Sequence, residues 1–128
     1  MSSNMRFVQT SKAPKPIGPY SQGIVANGLV FVAGVVALDP GTGATVSGGV
    51  KEQTARILES IKGILEEAGS SLQKVTKVTV YLKEGSTFKE MNEVYTRYFG
   101  DHKPVRTTIV CNFVREEFLV ELDAIALA

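Results

Sequence analysis

Residues 22–36 read QGIVANGLVFVAGVV, and how this stretch is paired and covered decides the fold. Two apolar runs rich in β-branched side chains, Gln22 to Ala26 and Leu29 to Val36, flank Asn27-Gly28. That dipeptide best tolerates the two successive φ > 0 positions of a type I′ turn, so the segment reads as a β-hairpin. The second strand is apolar on both sides, with Leu29, Phe31, Ala33 and Val35 opposing Val30, Val32, Gly34 and Val36. Both of its faces must therefore be covered, and the number of helices in the rest of the chain decides by what.

Downstream, Asp39 to Gly49 (DPGTGATVSGG) is a loop rich in turn residues. From Val50 to Ala68 the apolar residues Val50, Ile57, Leu58, Ile61, Ile64, Leu65 and Ala68 recur at helical intervals, and Gly69 follows as a stop. Val75 to Leu82 alternates as a strand with one buried side. Thr87-x-x-Glu90 has the form of a capping box and opens a second helix through Phe99, with Phe88, Met91, Tyr95 and Tyr98 on one stripe; Gly100 ends it. Arg106 to Asn112 and Leu119 to Ala126 form the last two strands, joined by a charged loop at Arg115-Glu116-Glu117, and are expected to pair antiparallel. Upstream, the three prolines of SKAPKPIGP (Ser11 to Pro19) exclude helix, and Arg6 to Gln9 forms a short strand. The order ββ-α-β-α-ββ behind that strand predicts an α+β domain in which two helices pack on one face of a sheet of about six strands. Two helices cannot cover both faces, so the other is expected to be covered by another subunit.

A chain of 128 residues makes one domain, 1–128, able to bury roughly two-thirds of its unfolded surface. Its 44% hydrophobic and 21% charged residues are those of an ordinary globular protein. With 14 Lys and Arg against 13 Asp and Glu there is no field to hold nucleic acid or anionic lipid. No apolar run is long enough to span a membrane, and Met1 to Gln9 lacks the apolar core of a signal peptide. The lone cysteine, Cys111, suits a reducing compartment, so the expected location is the cytoplasm.

One His and one Cys exclude a His- and Cys-rich zinc site, and a Ser-His-Asp triad would depend wholly on His102, read as a surface loop residue. No phosphate loop, dinucleotide fingerprint or nucleophile elbow is present, so no metal or cofactor is expected. The informative residues are charges set in strands that otherwise favour apolar side chains. By alternation Arg106, Thr108 and Val110 share one face of their strand, while Glu121 shares a face with Leu119, Asp123 and Ile125. If those strands pair, Arg106 and Glu121 can both lie on the helix-free face. Arg106 would then fit a substrate carboxylate bidentately while Glu121 positions or deprotonates a water; the alternative is that the two form an interface salt bridge. Tyr20 reads equally as a packing residue or a substrate contact, and Asn92 as a loop cap or a site residue. Cys111 falls on the expected core face and reads as an inert buried thiol.

Five segments in order resemble the RidA/YjgF family: Gly18-Pro19-Tyr20-Ser21-Gln22, Leu38-Asp39-Pro40-x-Thr42-Gly43, Asn92-Glu93-Val94-Tyr95-x-x-Tyr98-Phe99, Pro104-x-Arg106-Thr107 and Val120 to Ala126. The resemblance implies a chorismate-mutase-like fold that trimerises around a central barrel, with sites between subunits. It also implies cofactor-independent hydrolysis of enamines and imines such as 2-aminoacrylate and 2-aminocrotonate to 2-oxo acids and ammonia. Position by position, Arg106 matches the family's carboxylate-binding arginine and Glu121 its water-positioning glutamate. Tyr20 and Asn92 match pocket residues, Gly34 a backbone contact, and Thr108 a position where many members carry cysteine. The chain departs from the family at Ala33-Gly34-Val35, where Ser-Gly-Gln is usual, and at Val114-Arg115, where Leu-Pro is common; Ala33 thus stands at a substrate-contact position without the hydroxyl. Other roles implied by the resemblance are a pathway-specific deaminase, for example of 2-aminomuconate, and a ribonuclease, translation inhibitor or chaperone-like regulator.

Overall fold

A computed structural model describes residues 4–128. Residues 1–3, where the domain and the stretch read for a signal peptide begin, lie outside the described residues. In chain order the elements are β1 (Arg6–Val8), β2 (Gly23–Ala26), β3 (Leu29–Val35), α1 (Val50–Glu67), β4 (Val75–Leu82), α2 (Phe88–Phe99), β5 (Val105–Val110) and β6 (Val120–Leu127). The β2–β3 turn has φ of 52° at Asn27 and 76° at Gly28, as a type I′ hairpin requires. Gly69 ends α1 in the left-handed region at φ 85°. The expected capping box of α2 does not form. Thr87 precedes the helix, but its hydroxyl donates back to the Glu84 carbonyl at 2.7 Å, closing a short 3₁₀ turn instead.

One six-stranded sheet runs in the order β1-β2-β3-β6-β4-β5. The last two strands are not neighbours, which corrects the sequence expectation. β5 pairs parallel with β4 at the sheet edge, and β6 lies antiparallel between β3 and β4. The reason is topological. Each helix is a crossover between parallel strands, β3 to β4 and β4 to β5; both run the same way along the sheet, so a common handedness sets both helices on one face. β6 fills the slot left between β3 and β4, antiparallel to both.

The core lies between that face and the helices. Ile57, Leu58, Ile61, Ile64 and Leu65 of α1 and Met91 of α2 pack over Val30 and Val32, Val78, Val80 and Leu82, and Val120, Leu122 and Ala124, all buried. The alternation expected along β3 fails after Val32. A register shift between Val32 and Val35 turns Val35 back to the core, opposite Leu122, and leaves Ala33 and Gly34 in an irregular step.

The opposite face carries no helix. Phe7, Ile24, Phe31, Ile125, Lys77 and Val105 form one row across it, strand to strand, and Glu121, Tyr81 and Ile109 form another. Phe7 is 66%, Phe31 41% and Ile109 43% exposed, an apolar surface of the kind that marks an interaction site. Among the described residues no helix is long and apolar enough to cross a membrane.

Candidate functional site

Arg106 and Glu121 lie on opposite faces of the sheet, which corrects the expectation that both lie on the helix-free face. Arg106 sits opposite Val78 and so shares the helix-packed side; Glu121 sits opposite Tyr81 and shares the open side. Within one chain they form two half-sites rather than a pair.

The first half-site is built by α2 reaching over the edge strand. Arg106 Nη1 donates to Asn92 Oδ1 at 2.7 Å, and the guanidinium carbon lies 4.8 Å from the Tyr95 ring centroid and 5.5 Å from that of Phe88. One hydrogen bond and two aromatic faces hold the fork while leaving donors free. Among the described residues no carboxylate lies within ion-pair distance of Arg106. Asn92 is thus an anchor for Arg106 rather than a loop cap. Burial pushes the Tyr95 hydroxyl above its ordinary range, with the Arg106 charge opposing. A recess of about 250 Å³ opens beside Arg106, Asn92 and Tyr95 toward His102. His102 is not the surface residue expected: it is half-buried, its Nε2 donating to the Val75 carbonyl at 2.6 Å. Thr108 stands two residues beyond Arg106 on the same side, opposite Val80. Cys111 follows at the open edge, partly exposed rather than buried, because β5 borders the sheet instead of crossing its core.

The second half-site forms where β6 passes the irregular step of β3. A Cβ on Gly34 would fall on the Glu121 carboxylate, so a larger residue there would displace that carboxylate from its present position. Glu121 is half-buried; desolvation first, and the nearby Asp123 charge second, raise its carboxyl above the ordinary value of 4.5. Tyr81 donates to Asp123 Oδ2 at 2.7 Å, and that bond, with burial, pushes its phenol up to about 12. A cleft of about 650 Å³ adjoins Glu121, with Ala33 and Gly34 as its floor and Tyr20, Ile17, Val36, Val114 and Phe118 around it. Tyr20 is exposed and accepts the Ile17 N–H through its hydroxyl at 3.2 Å.

Two buried glutamines hold the loops that wall this cleft. Gln22 donates to the carbonyls of Thr10, Ala13 and Pro14 and accepts the Thr10 N–H, tying down the proline-rich segment before Tyr20. Gln53 donates to the Glu117 carbonyl and accepts the Leu119 N–H, fixing the loop that carries Phe118. The sequence reading missed Gln53, the rings flanking Arg106 and the aliphatic walls. A polar residue on the apolar stripe of α1 was the one available sign of the first. Among the described residues no three His, Cys, Asp or Glu side chains converge as metal ligands would.

Known proteins resemble this chain over nearly its whole length. The family model described as Endoribonuclease L-PSP matches residues 10–128. A RutC family protein of Pyrococcus abyssi is 55% identical over 117 residues, covering 91% of this chain and 92% of that protein. The human 2-iminobutanoate/2-iminopropanoate deaminase is 34% identical over 122 residues, covering 95% and 89%. The crystal structure of a putative endoribonuclease from Thermotoga maritima superposes with a TM-score of 0.92 at 47% identity, covering 96% of this chain and 97% of that one. The chain therefore belongs to the family its motifs resemble, the RidA/YjgF proteins, whose family model carries the description Endoribonuclease L-PSP.

Proposed function

We propose that this protein hydrolyses enamines and imines of short 2-amino acids to 2-oxo acids and ammonia, at sites that Arg106 of one copy and Glu121 of the next complete in a homotrimer. The observation that carries this reading is the division of the site: an arginine held open by Asn92 and two rings on one face, and a half-buried, raised carboxylate beside a cleft on the other. Neither has an oppositely charged partner among the described residues, and the apolar open face supplies a reason to associate. The name of the human relative, a 2-iminobutanoate/2-iminopropanoate deaminase, supports the same chemistry.

In this reading the Arg106 fork holds the substrate carboxylate with two parallel hydrogen bonds. Tautomerisation of an enamine gives the imine, whose C2 is already electrophilic. Glu121 takes a proton from water as the oxygen bonds to C2 and returns it to nitrogen; it then carries the carbinolamine hydroxyl proton to the same nitrogen, so that the C–N bond breaks, ammonia leaves and the carbonyl forms. A carboxyl raised above its ordinary value by burial is a better base for that proton transfer, worth about 10²–10⁴-fold. No step calls for a cofactor. Cytoplasmic location and the absence of a nucleic-acid partner belong to this reading too, the latter resting on the near-zero net charge.

The test is a coupled assay with a serine or threonine dehydratase, following 2-oxo acid release. Acceleration by the wild type is expected, with none from Arg106→Ala or Glu121→Gln alone. Co-expressed in equal amounts, the two inactive chains should form mixed trimers in which about one quarter of sites carry both intact residues. Recovered activity near that fraction supports the shared site, whereas none at all refutes it. RNA retention without imine hydrolysis would favour a nucleic-acid role instead.

A further inference from the structure

The cleft beside Glu121 is chemically one-sided. Its floor, Ala33 and Gly34, offers no polar side chain, and Ile17, Val36, Val114 and Phe118 supply aliphatic and aromatic walls. The Tyr20 hydroxyl already accepts the Ile17 N–H, so one O–H and the Glu121 carboxylate are its remaining polar side-chain groups. Behind Ala33 and Val36 a recess of about 30 Å³ continues between Ala13, Pro14, Leu38 and Ile64. Gln22 borders it, but its amide is already committed to Thr10, Ala13 and Pro14, and the exposed Lys15 is the one charged residue along it. The recess exceeds the roughly 10–15 Å³ that one water needs, and a small branched hydrocarbon group would fill it without leaving a polar group unpaired.

We propose that this cleft and recess receive the substrate's side chain, and that branched aliphatic 2-imino acids are preferred over those with an amide or acidic side chain. The inference rests on the deaminase reading above. With the carboxylate on Arg106 of a second copy and C2 facing Glu121, the third substituent of C2 is left to the apolar walls. An amide there loses its water and finds no replacement donor or acceptor, and a second carboxylate would face the Glu121 charge. Ile17, Ala33 and Val36 are then specificity-determining residues.

The experiment generates imines in place with a flavin L-amino acid oxidase acting on leucine, glutamine or alanine, and follows their loss against a semicarbazide trap. The leucine-derived imine should be hydrolysed with a kcat/KM at least about tenfold above that of the glutamine-derived one, which is similar in length but polar. Val36→Thr, near-isosteric but hydroxylated, should shrink that ratio at least about threefold. Equal rates on the two imines, or a ratio indifferent to Val36→Thr, overturn the proposal while leaving the deaminase reading intact. Should no imine be accelerated, that reading fails by itself. Calorimetry with the 2-oxo acids then decides the cleft: tighter binding of 4-methyl-2-oxopentanoate than of 2-oxoglutarate supports it, and the reverse order refutes it.

Discussion

Arg106 and Glu121 owe their chemistry to what surrounds them. An arginine on an edge strand would ordinarily sweep through solvent; here Asn92 and the rings of Phe88 and Tyr95 confine it, so less freedom would be lost in the proposed binding of a carboxylate. Arg106→Ala should leave melting near normal while abolishing 2-oxo acid binding, because no ion pair is broken among the described residues; Arg106→Lys should rescue poorly for want of the planar fork. Calorimetric titration beside a thermal melt checks both, and a collapsed melting temperature would return Arg106 to a structural role. Glu121 makes a prediction with a sign. Its carboxyl is raised in the folded chain, so its contribution to stability is fully present below the ordinary value of 4.5 and lost as pH rises through the raised one. Glu121→Gln removes that loss. The variant should gain melting temperature over the wild type at pH 8 and gain little at pH 4, and a gain independent of pH would show that the carboxylate bears no burial penalty.

At the scale of elements, the half-sites depend on helices that act from behind. α1 contributes only Ile64, in the recess behind the cleft, yet Gln53, buried in its apolar stripe, holds Glu117 and Leu119 and thereby the wall containing Phe118. Gln53→Ala removes the partners of the part-buried Leu119 N–H and Glu117 carbonyl and should cost about 0.5–1.5 kcal/mol. Amide exchange at Leu119 should accelerate well beyond that of α1 itself; uniform acceleration would mean that the glutamine serves global stability alone. This scale also marks what was legible in the sequence. The hairpin at Asn27-Gly28, the amphipathic face of α1 and the alternation of β4 rest on local chemistry, and each lies where its pattern placed it. The order of β5 and β6 does not rest on local chemistry. No period within Arg106 to Asn112 says whether its neighbour is the strand before it or after it, and that choice decided which face Arg106 occupies. The step at Ala33-Gly34 escaped for a related reason: a bulge breaks the two-residue period from which faces are assigned. The motif resemblance picks out the same candidate residues whichever way the strands are ordered, whereas the assignment of faces changes with that order.

For the whole molecule, the governing feature is a sheet with one face under helices and the other bare. Phe7, Phe31 and Ile109 are costly to leave in water at about 25 cal/mol per Å² of apolar surface, so burying them between copies supplies the drive for the proposed trimer. Phe31→Asp should dissociate it, seen as monomer-sized sedimentation at micromolar concentration, with each chain still folded because Phe31 takes no part in the core beneath α1. A stable wild-type monomer under the same conditions would remove the shared site along with the trimer.

The separation of Arg106 from Glu121 by the thickness of the sheet has a kinetic meaning. An enzyme whose site lies within one chain keeps the same turnover per chain however far it is diluted. Here turnover per chain would track assembly, and well below the dissociation midpoint of the proposed trimer it would fall with the square of chain concentration. The activity would then behave as a threshold in abundance: negligible while chains are scarce, and switched on within a narrow range of expression, with no effector needed to set it.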